Sequence, residues 1–196
     1  GIAVKLDSKG PIIFEQDRLT KDGRVFRMYK FRSMIVNAEN MGTGLFNYEH
    51  DPRVTRMGRF LRNTSLDELP QLVNVLRGDI SIVGPRPSVV GELGDYETLN
   101  RKYKSRFKVK GGITGLAQVK GRNNISWDEK VMFDNQYIKA FMKYGVRVDI
   151  QIIGKTIVKV FQKADICERR VREDISDIES AAMTEEEIIR AAHAPD

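Results

Sequence analysis

The chain has 196 residues and a single cysteine, Cys167, which excludes an internal disulfide framework and a cysteine-rich zinc site. Hydrophobic residues make up 41% of the chain and charged residues 31%, so it can build a core and is not a bundle of membrane-spanning helices. Residues 1–167 hold 29 basic and 18 acidic residues, a net charge of +11, whereas residues 168–196 hold 4 basic and 9 acidic, a net charge of −5. The basic part indicates an anionic partner, whether nucleic acid, a phosphorylated small molecule or an anionic membrane face.

The first structural signal along the chain is a β-hairpin. Within residues 11–34, two apolar, aromatic-rich runs flank the turn dipeptide Asp22-Gly23. Because side chains alternate along a strand, Lys30 and Arg32 share one face of the second run. Two interpretations stay open here, a solvated strand face and a paired basic grip on phosphate.

A basic stripe and an amphipathic helix are predicted next. Arginines recur every third residue, which places part of the set on one side of a helix: Arg53, Arg56, Arg59 and Arg62. Ser65 and Glu68 then fit an S-x-x-E capping box at the start of a second helix. The apolar side of that helix repeats at helical spacing, and Gly78 is a typical stop: Leu69, Leu72, Val73 and Leu76.

The remaining elements follow from similar signals. Residues 80–83 read as a short strand or buried extended segment, and residues 92–108 as an amphipathic helix. Ser126 and Glu129 form a capping box that begins a helix ending near Lys143. Residues 147–163 predict a basic amphipathic helix, which either lies on a membrane surface or packs on the core as an ordinary surface helix.

Asp67 and Glu68 form a carboxylate pair at the predicted helix N-terminus. Adjacent helical residues point about 100° apart, which is unsuitable for a glycosidase pair that must face each other across a sugar. The pair suits a metal and a phosphate better, since one carboxylate can attack phosphorus while the other, or the same one, holds Mg²⁺. Plain helix capping is the alternative interpretation.

Arg86 stands between two prolines, Pro85 and Pro87. The prolines restrict the backbone on both sides, so the guanidinium can present a planar fork to phosphate oxygens. A structural turn with an exposed arginine is the alternative.

Five sequence blocks, in order across roughly residues 5–160, resemble the bacterial sugar transferases, which are monotopic polyprenyl-phosphate phosphoglycosyl transferases. The blocks are KLDSKGPIIFEQDR, YKFRSM, DPRVTRMGRFLRNTSLDELPQLVNVLRGDISIVGPRP, ITGLAQVKGR and WDEKVMFDNQY. The resemblance implies a two-step reaction in which an aspartate attacks the sugar-bearing phosphate of a UDP-sugar and UMP leaves. A membrane polyprenyl (undecaprenyl) phosphate then takes the sugar phosphate from the enzyme.

The resemblance also implies roles for particular residues. Asp67 matches the nucleophile and Glu68 its neighbouring acid, and the two are the implied ligands of Mg²⁺. Six further positions match motifs expected to bind substrate or phosphate: Arg86, Lys30, Arg32, Arg62, Asp134 and Tyr137.

The sequence therefore predicts an α+β fold, mostly helical, with a small β-hairpin and amphipathic membrane-surface helices. Residues 1–167 form the expected catalytic domain, with a truncated re-entrant membrane segment at 1–10, and residues 168–196 form an acidic helical extension. The resemblance implies the cytoplasmic face of the bacterial inner membrane and no nucleic acid as partner, and it leaves a homo-oligomer open. Two alternatives are a basic nucleic-acid-binding module and a non-catalytic assembly protein that keeps the fold.

Overall fold

The computed structural model describes residues 1–42, 51–121 and 125–161. The helices are α1 (Ile2–Asp7), α2 (Arg56–Thr64), α3 (Gln71–Leu76), α4 (Arg101–Lys104), α5 (Leu116–Lys120), α6 (Trp127–Tyr144) and α7 (Val146–Phe161). The strands are β1 (Ile13–Leu19), β2 (Val25–Phe31), β3 (Ser81–Val83), β4 (Ser88–Val89) and β5 (Gly112–Thr114). The mostly helical α+β class is confirmed. The predicted extension at 168–196 lies outside the described residues.

Two small sheets form the β part of the fold. β1 and β2 make the predicted antiparallel hairpin, in register from Ile13 opposite Phe31 to Leu19 opposite Val25, and β4 adds to the other edge of β1. β3 and β5 pair in parallel, with Val83 opposite Thr114. The loop between β3 and β4 contains Arg86, so both sheets fix the ends of this loop.

The core lies in two clusters on either side of these sheets. One joins the hairpin to the segment before β3 through Phe26, Met28 and Ile80. The other packs α5, α6 and α7 against β3 through residues that include Tyr137 and Ile152. The capping box predicted at the start of α6 is present, with reciprocal bonds between Ser126 and Glu129. Within the described part of the chain, no helix combines the length and the apolar character needed to cross a bilayer.

Helix α3 is turned the opposite way from its predicted orientation. Its polar residues Gln71 and Asn74 are buried, whereas the apolar set expected to face the core is exposed: Leu69, Leu72, Val73 and Leu76. The Asn74 amide explains the inversion, because it accepts a hydrogen bond from the Tyr29 N–H (3.1 Å) and donates one to the Arg27 carbonyl (2.8 Å). The side chain thus occupies the outer edge of β2 as a neighbouring strand would. It fastens α3, and the turn before it, to the hairpin.

One other sequence prediction is wrong. Residues 92–100 are not helical, since Gly91 and Gly94 take left-handed φ values of 83° and 87°, and α4 begins only at Arg101. Of the four arginines that recur every third residue, Arg53 lies outside the helix, because it precedes α2 and is buried in an ion pair with Asp51, with a closest N–O distance of 2.7 Å.

Close packing of α2 on the chain that follows β2 gives a test of the fold. A Cβ atom at Gly58 would lie 1.9 Å from the Ser33 carbonyl oxygen. We expect Gly58→Ala to lower the free energy of unfolding by about 1–3 kcal/mol, because α2 must move away from Ser33. Chemical denaturation followed by circular dichroism measures the change.

Gly154→Ala is the matched control. Gly154 lies in α7, and a Cβ atom there would have no atom within 4 Å. Alanine should raise the free energy of unfolding by up to about 1 kcal/mol through helix propensity alone. Equal stability of the two variants would contradict the packing of α2 described above.

Candidate active site

The centre of the site is the carboxylate of Glu68. Its Oε1 accepts hydrogen bonds from Lys30 Nζ and from Arg86 Nη2, both at 3.1 Å. The three side chains come from the turn before α3, from strand β2 and from the loop after β3. Lys30 and Arg86 lie 38 and 18 positions from Glu68 in the sequence, and both contact the same oxygen atom of its carboxylate.

A left-handed residue brings Asp67 and Glu68 to this place. α2 ends at Ser65, whose φ is 56° and whose N–H bonds back to the last turn of the helix. Leu66–Glu68 then form a single 3₁₀ turn, and α3 begins only at Gln71. The predicted capping box is therefore wrong: Ser65 is the C-cap of α2 and precedes the 3₁₀ turn without a side-chain capping bond, and the two carboxylates lie in that turn between α2 and α3.

Burial sets the ionisation of the cluster. It raises the pKa of Asp67, against the opposing charge of Lys30. It lowers the pKa of Lys30 to about 8, although Glu68 favours the charged ammonium. The pKa of Arg86 is raised, chiefly by the Glu68 carboxylate. Glu68 therefore pairs with both cations. The charges of both cations act on Asp67 as well, but burial disfavours the ionised form of its carboxylate.

The predicted basic residues lie in different parts of the structure. Arg62 donates from Nε to Ser33 Oγ at 2.8 Å, and its charge lowers the pKa of Asp67, so it borders the cluster. Arg32 is buried elsewhere and donates to the carbonyls of Ser8, at 2.8 Å, and of Lys9. Lys30 and Arg32 therefore do not form a joint grip: one faces Glu68, and the other anchors the segment after α1.

Asp134 and Tyr137 lie behind the site. The Asp134 carboxylate is 1% exposed and accepts a hydrogen bond from Arg106 Nε at 2.9 Å. The Tyr137 hydroxyl donates to Asp149 Oδ1 (2.9 Å) and approaches the Val83 carbonyl (3.3 Å) at the end of β3. These contacts are with the protein. A direct contact of either residue with substrate stays a prediction; in the structure, Asp134 is paired with Arg106, and Tyr137 lies against the end of the strand that precedes the loop of Arg86.

Sequence reasoning missed Arg18 and its neighbour Gln16. Arg18 Nη1 donates to the Pro87 carbonyl at 2.6 Å, and its Nε and Nη2 both donate to Gln16 Oε1. Burial and the nearby charge of Arg86 lower the pKa of Arg18 to about 10. Strand alternation was the available signal, because Gln16 and Arg18 share a face of β1 with Phe14, which stands opposite Lys30.

A cavity lies beside the cluster, and its lining contains both charged and apolar side chains. Glu68 and Arg86 line its charged end. Leu72 of α3 and Val160 of α7 border its apolar side, so these two helices flank one opening. Such a cavity can accept a ligand with an anionic head and an apolar portion.

The donor set fits a Mg²⁺ ion only in part. Among residues 1–42, 51–121 and 125–161, no three histidine, cysteine or acidic residues are grouped so as to hold a metal. Mg²⁺ usually takes one or two carboxylates and completes its shell with substrate phosphates and water. Asp67 and Glu68 provide that minimum, with Glu68 already engaged by Lys30 and Arg86.

Fold and site together define an α+β domain with a carboxylate–cation cluster at the mouth of a partly apolar cavity. The chain belongs to the bacterial sugar transferase family, whose model matches residues 1–163. It is 50% identical over 159 residues to a galactosyl transferase of Streptococcus agalactiae, covering 76% of this chain and 34% of that protein. It is 46% identical over 165 residues to the UDP-glucose:undecaprenyl-phosphate glucose-1-phosphate transferase of Escherichia coli, covering 82% and 35%.

A third relative is the undecaprenyl-phosphate galactose phosphotransferase of Salmonella typhimurium, 42% identical over 168 residues, covering 79% of this chain and 34% of that protein. The chain thus spans about a third of the length of the curated relatives it matches. The family expected from the five blocks is confirmed.

The contact between Lys30 and Glu68 predicts how Lys30 titrates. In the wild type we expect its amine to titrate near pH 8. Glu68→Gln should lower this pKa further, because a neutral amide no longer favours the ammonium form. NMR of ¹³C-labelled lysine, followed against pH, measures the midpoint.

Lys102 is an internal control in the same spectra. Its pKa is raised by a hydrogen bond to Asp128 on another surface, and Glu68→Gln should leave it unchanged. An unaltered Lys30 midpoint in Glu68→Gln would show that the two groups are not paired in solution.

Proposed function

We propose that the chain transfers a sugar-1-phosphate from a UDP-sugar to a membrane polyprenyl phosphate, releasing UMP. The observation that supports this most is the Glu68 carboxylate, which pairs with Lys30 and Arg86 and lines a partly apolar cavity, while the charges of Lys30 and Arg86 act on the neighbouring Asp67. Relatives named as undecaprenyl-phosphate sugar-phosphate transferases point to the same chemistry. The proposed location is the cytoplasmic face of the inner membrane.

In the first step, an oxygen of Asp67 attacks the phosphorus that bears the sugar. A carboxylate–phosphorus bond forms, the bond to the UMP oxygen breaks, and UMP leaves with the electron pair. Attack by an anion on an anion is slow unless positive charge is already in place. Lys30, Arg62 and Arg86 are the cations whose charge acts on Asp67.

In the second step, a phosphate oxygen of the polyprenyl carrier attacks the same phosphorus. The new diphosphate bond forms, and the bond to Asp67 breaks, which returns the carboxylate. One diphosphate linkage replaces another, so the overall reaction is near balance. Asp67 and Glu68 would hold Mg²⁺, which when bound supplies positive charge that offsets the repulsion between carboxylate and diphosphate.

Exposed apolar side chains lie on α3 and α7, the two helices that border the cavity, and support a membrane-facing surface there. Leu76 of α3 is 88% exposed and Ile150 of α7 is 65% exposed. Within α7, Ile152 is buried and Ile153 packs against the core, whereas Ile150 and Ile157 are exposed. Basic side chains such as Lys159, which lines the cavity, suit anionic headgroups.

Removal of the proposed nucleophile tests the reaction. We expect Asp67→Asn to reduce UMP release by on the order of 10⁴-fold or more, because an amide cannot form the covalent intermediate. The assay uses the intact protein with Mg²⁺, a panel of UDP-sugars and undecaprenyl phosphate. Intact-mass spectrometry should find a sugar-phosphate adduct on the wild type and none on Asp67→Asn.

Asp95→Asn is the control, since Asp95 is an exposed acid outside the cluster. It should keep both the rate and the adduct. Near-normal turnover by Asp67→Asn would refute the assignment of the nucleophile.

The apolar surface gives a second test. Leu76→Ser and Ile150→Ser should each weaken binding of the intact protein to phosphatidylcholine–phosphatidylglycerol vesicles by about 10-fold, since burying one such side chain is worth about 1.5–3 kcal/mol. Vesicle co-sedimentation measures the partitioning.

Val25→Ser is the matched control, because Val25 is 53% exposed on strand β2, whereas the described residues that line the cavity include members of α3 and α7 and none of β2. Equal losses for all three variants would mean that α3 and α7 have no special part in membrane binding.

A further inference from the structure

The loop that presents Arg86 has its backbone held at three consecutive carbonyls. The Pro85 carbonyl accepts a hydrogen bond from the Gly112 N–H at 2.9 Å. The Arg86 carbonyl accepts one from Arg106 Nη2 at 2.7 Å, and the Pro87 carbonyl one from Arg18 Nη1 at 2.6 Å. Because Pro85 and Pro87 have no N–H, the carbonyls are the main groups by which the rest of the protein can hold this loop.

The two arginines are themselves held. Arg106 is 3% exposed, pairs with Asp134 through Nε at 2.9 Å, and has its guanidinium 5.0 Å from the ring centroid of Trp127. Arg18 is fixed by two hydrogen bonds to Gln16. Each therefore acts as a rigid link, one from the segment before β5 and one from strand β1.

We propose that Arg106 and Arg18 form a clamp that positions Arg86 for phosphate binding, and that Asp134 belongs to this clamp. Arg106 and Arg18 act through the backbone of Arg86, whose own guanidinium points to Glu68 at 3.1 Å. Arg106, Arg18 and Asp134 are positioning residues. The inference rests on the proposed function, because it concerns the cation that meets the substrate phosphate.

The two arginines of the clamp differ in the charges that surround them. Asp134 neutralises Arg106, so Arg106 can be buried without adding net charge near the cavity. Among the described residues, Arg18 donates side-chain hydrogen bonds to the neutral Gln16, and burial and the charge of Arg86 lower its pKa against the opposing effect of more distant carboxylates. Arg18 therefore also adds positive potential behind Arg86, which an incoming phosphate would offset.

A double-mutant cycle tests the clamp. Arg106→Lys keeps the charge but cannot reach both Asp134 and the Arg86 carbonyl with a fixed planar fork. We expect kcat for UMP release to fall about 100-fold, with a smaller change in KM, since Arg86 stays nearby but is misaligned in the transition state. In an Arg86→Met background, Arg106→Lys should lower kcat by less than about 3-fold, because the group it positions is gone.

Arg101→Lys is the matched control, an exposed arginine on α4. It should leave kcat unchanged in both backgrounds. If Arg106→Lys costs the same factor with and without Arg86, it acts by general destabilisation and the proposal is overturned. Should Arg106→Lys fail to fold, Arg18→Lys applies the same cycle from the hairpin side.

An independent readout separates this proposal from the proposed function. Because Arg86 Nη2 donates to Glu68, NMR of the ¹⁵N-labelled side chain should show slowly exchanging Arg86 Nη–H protons in the wild type and in Arg101→Lys, and fast-exchanging ones in Arg106→Lys. If the wild type releases no UMP from any UDP-sugar, the proposed function fails while this spectrum still decides the clamp. An Arg86 signal unaffected by Arg106→Lys would overturn it.

Discussion

The ion pairs of Glu68 with Lys30 and Arg86 are the interaction on which the geometry of the site depends. They join the turn before α3, strand β2 and the loop after β3 at one carboxylate oxygen. The Lys30 pair is largely shielded from water, since the Glu68 and Lys30 side chains are each 16% exposed, whereas the Arg86 side chain is 38% exposed. Loss of the carboxylate would leave two like charges facing each other in a poorly solvated place, which is more costly than loss of a surface pair. Much of the surrounding structure supports these three segments.

Each of the three segments has its own anchor. Asn74 fastens α3 to the outer edge of β2, which keeps the turn with Asp67 and Glu68 close to Lys30. Tyr137 contacts the end of β3, and Arg106 holds the next loop at the Arg86 carbonyl. The cluster is therefore pre-organised: its cations are in place before an anion arrives, which is the condition for effective charge stabilisation in catalysis.

Local patterns were enough to predict much of the fold. The hairpin, the capped helix α6, the helix at α7 and the strand at residues 81–83 all follow from turn residues, capping residues and periodicity. The predicted capping box at Ser65 is wrong because the S-x-x-E spacing does not reveal the left-handed φ of Ser65. Periodicity located the apolar face of α3 but not the direction it faces, which is decided by hydrogen bonds of Asn74 to a strand far away in sequence. The position of Arg32 could not be predicted for a similar reason. Alternation along a strand shows which face a side chain is on, but it does not show which group the side chain contacts.

The outward apolar face of α3 affects folding stability and association between molecules in different ways. Leu76 is nearly as exposed after folding as before it, so it adds little to the free energy of folding. The same exposed groups attract one another between folded molecules, so colloidal stability and folding stability are governed by different residues. An amphiphile that bound this face of the native state more tightly than it bound the unfolded chain would raise the apparent melting temperature by mass action. With such a ligand, the melting temperature would depend on the ligand concentration as well as on the chain.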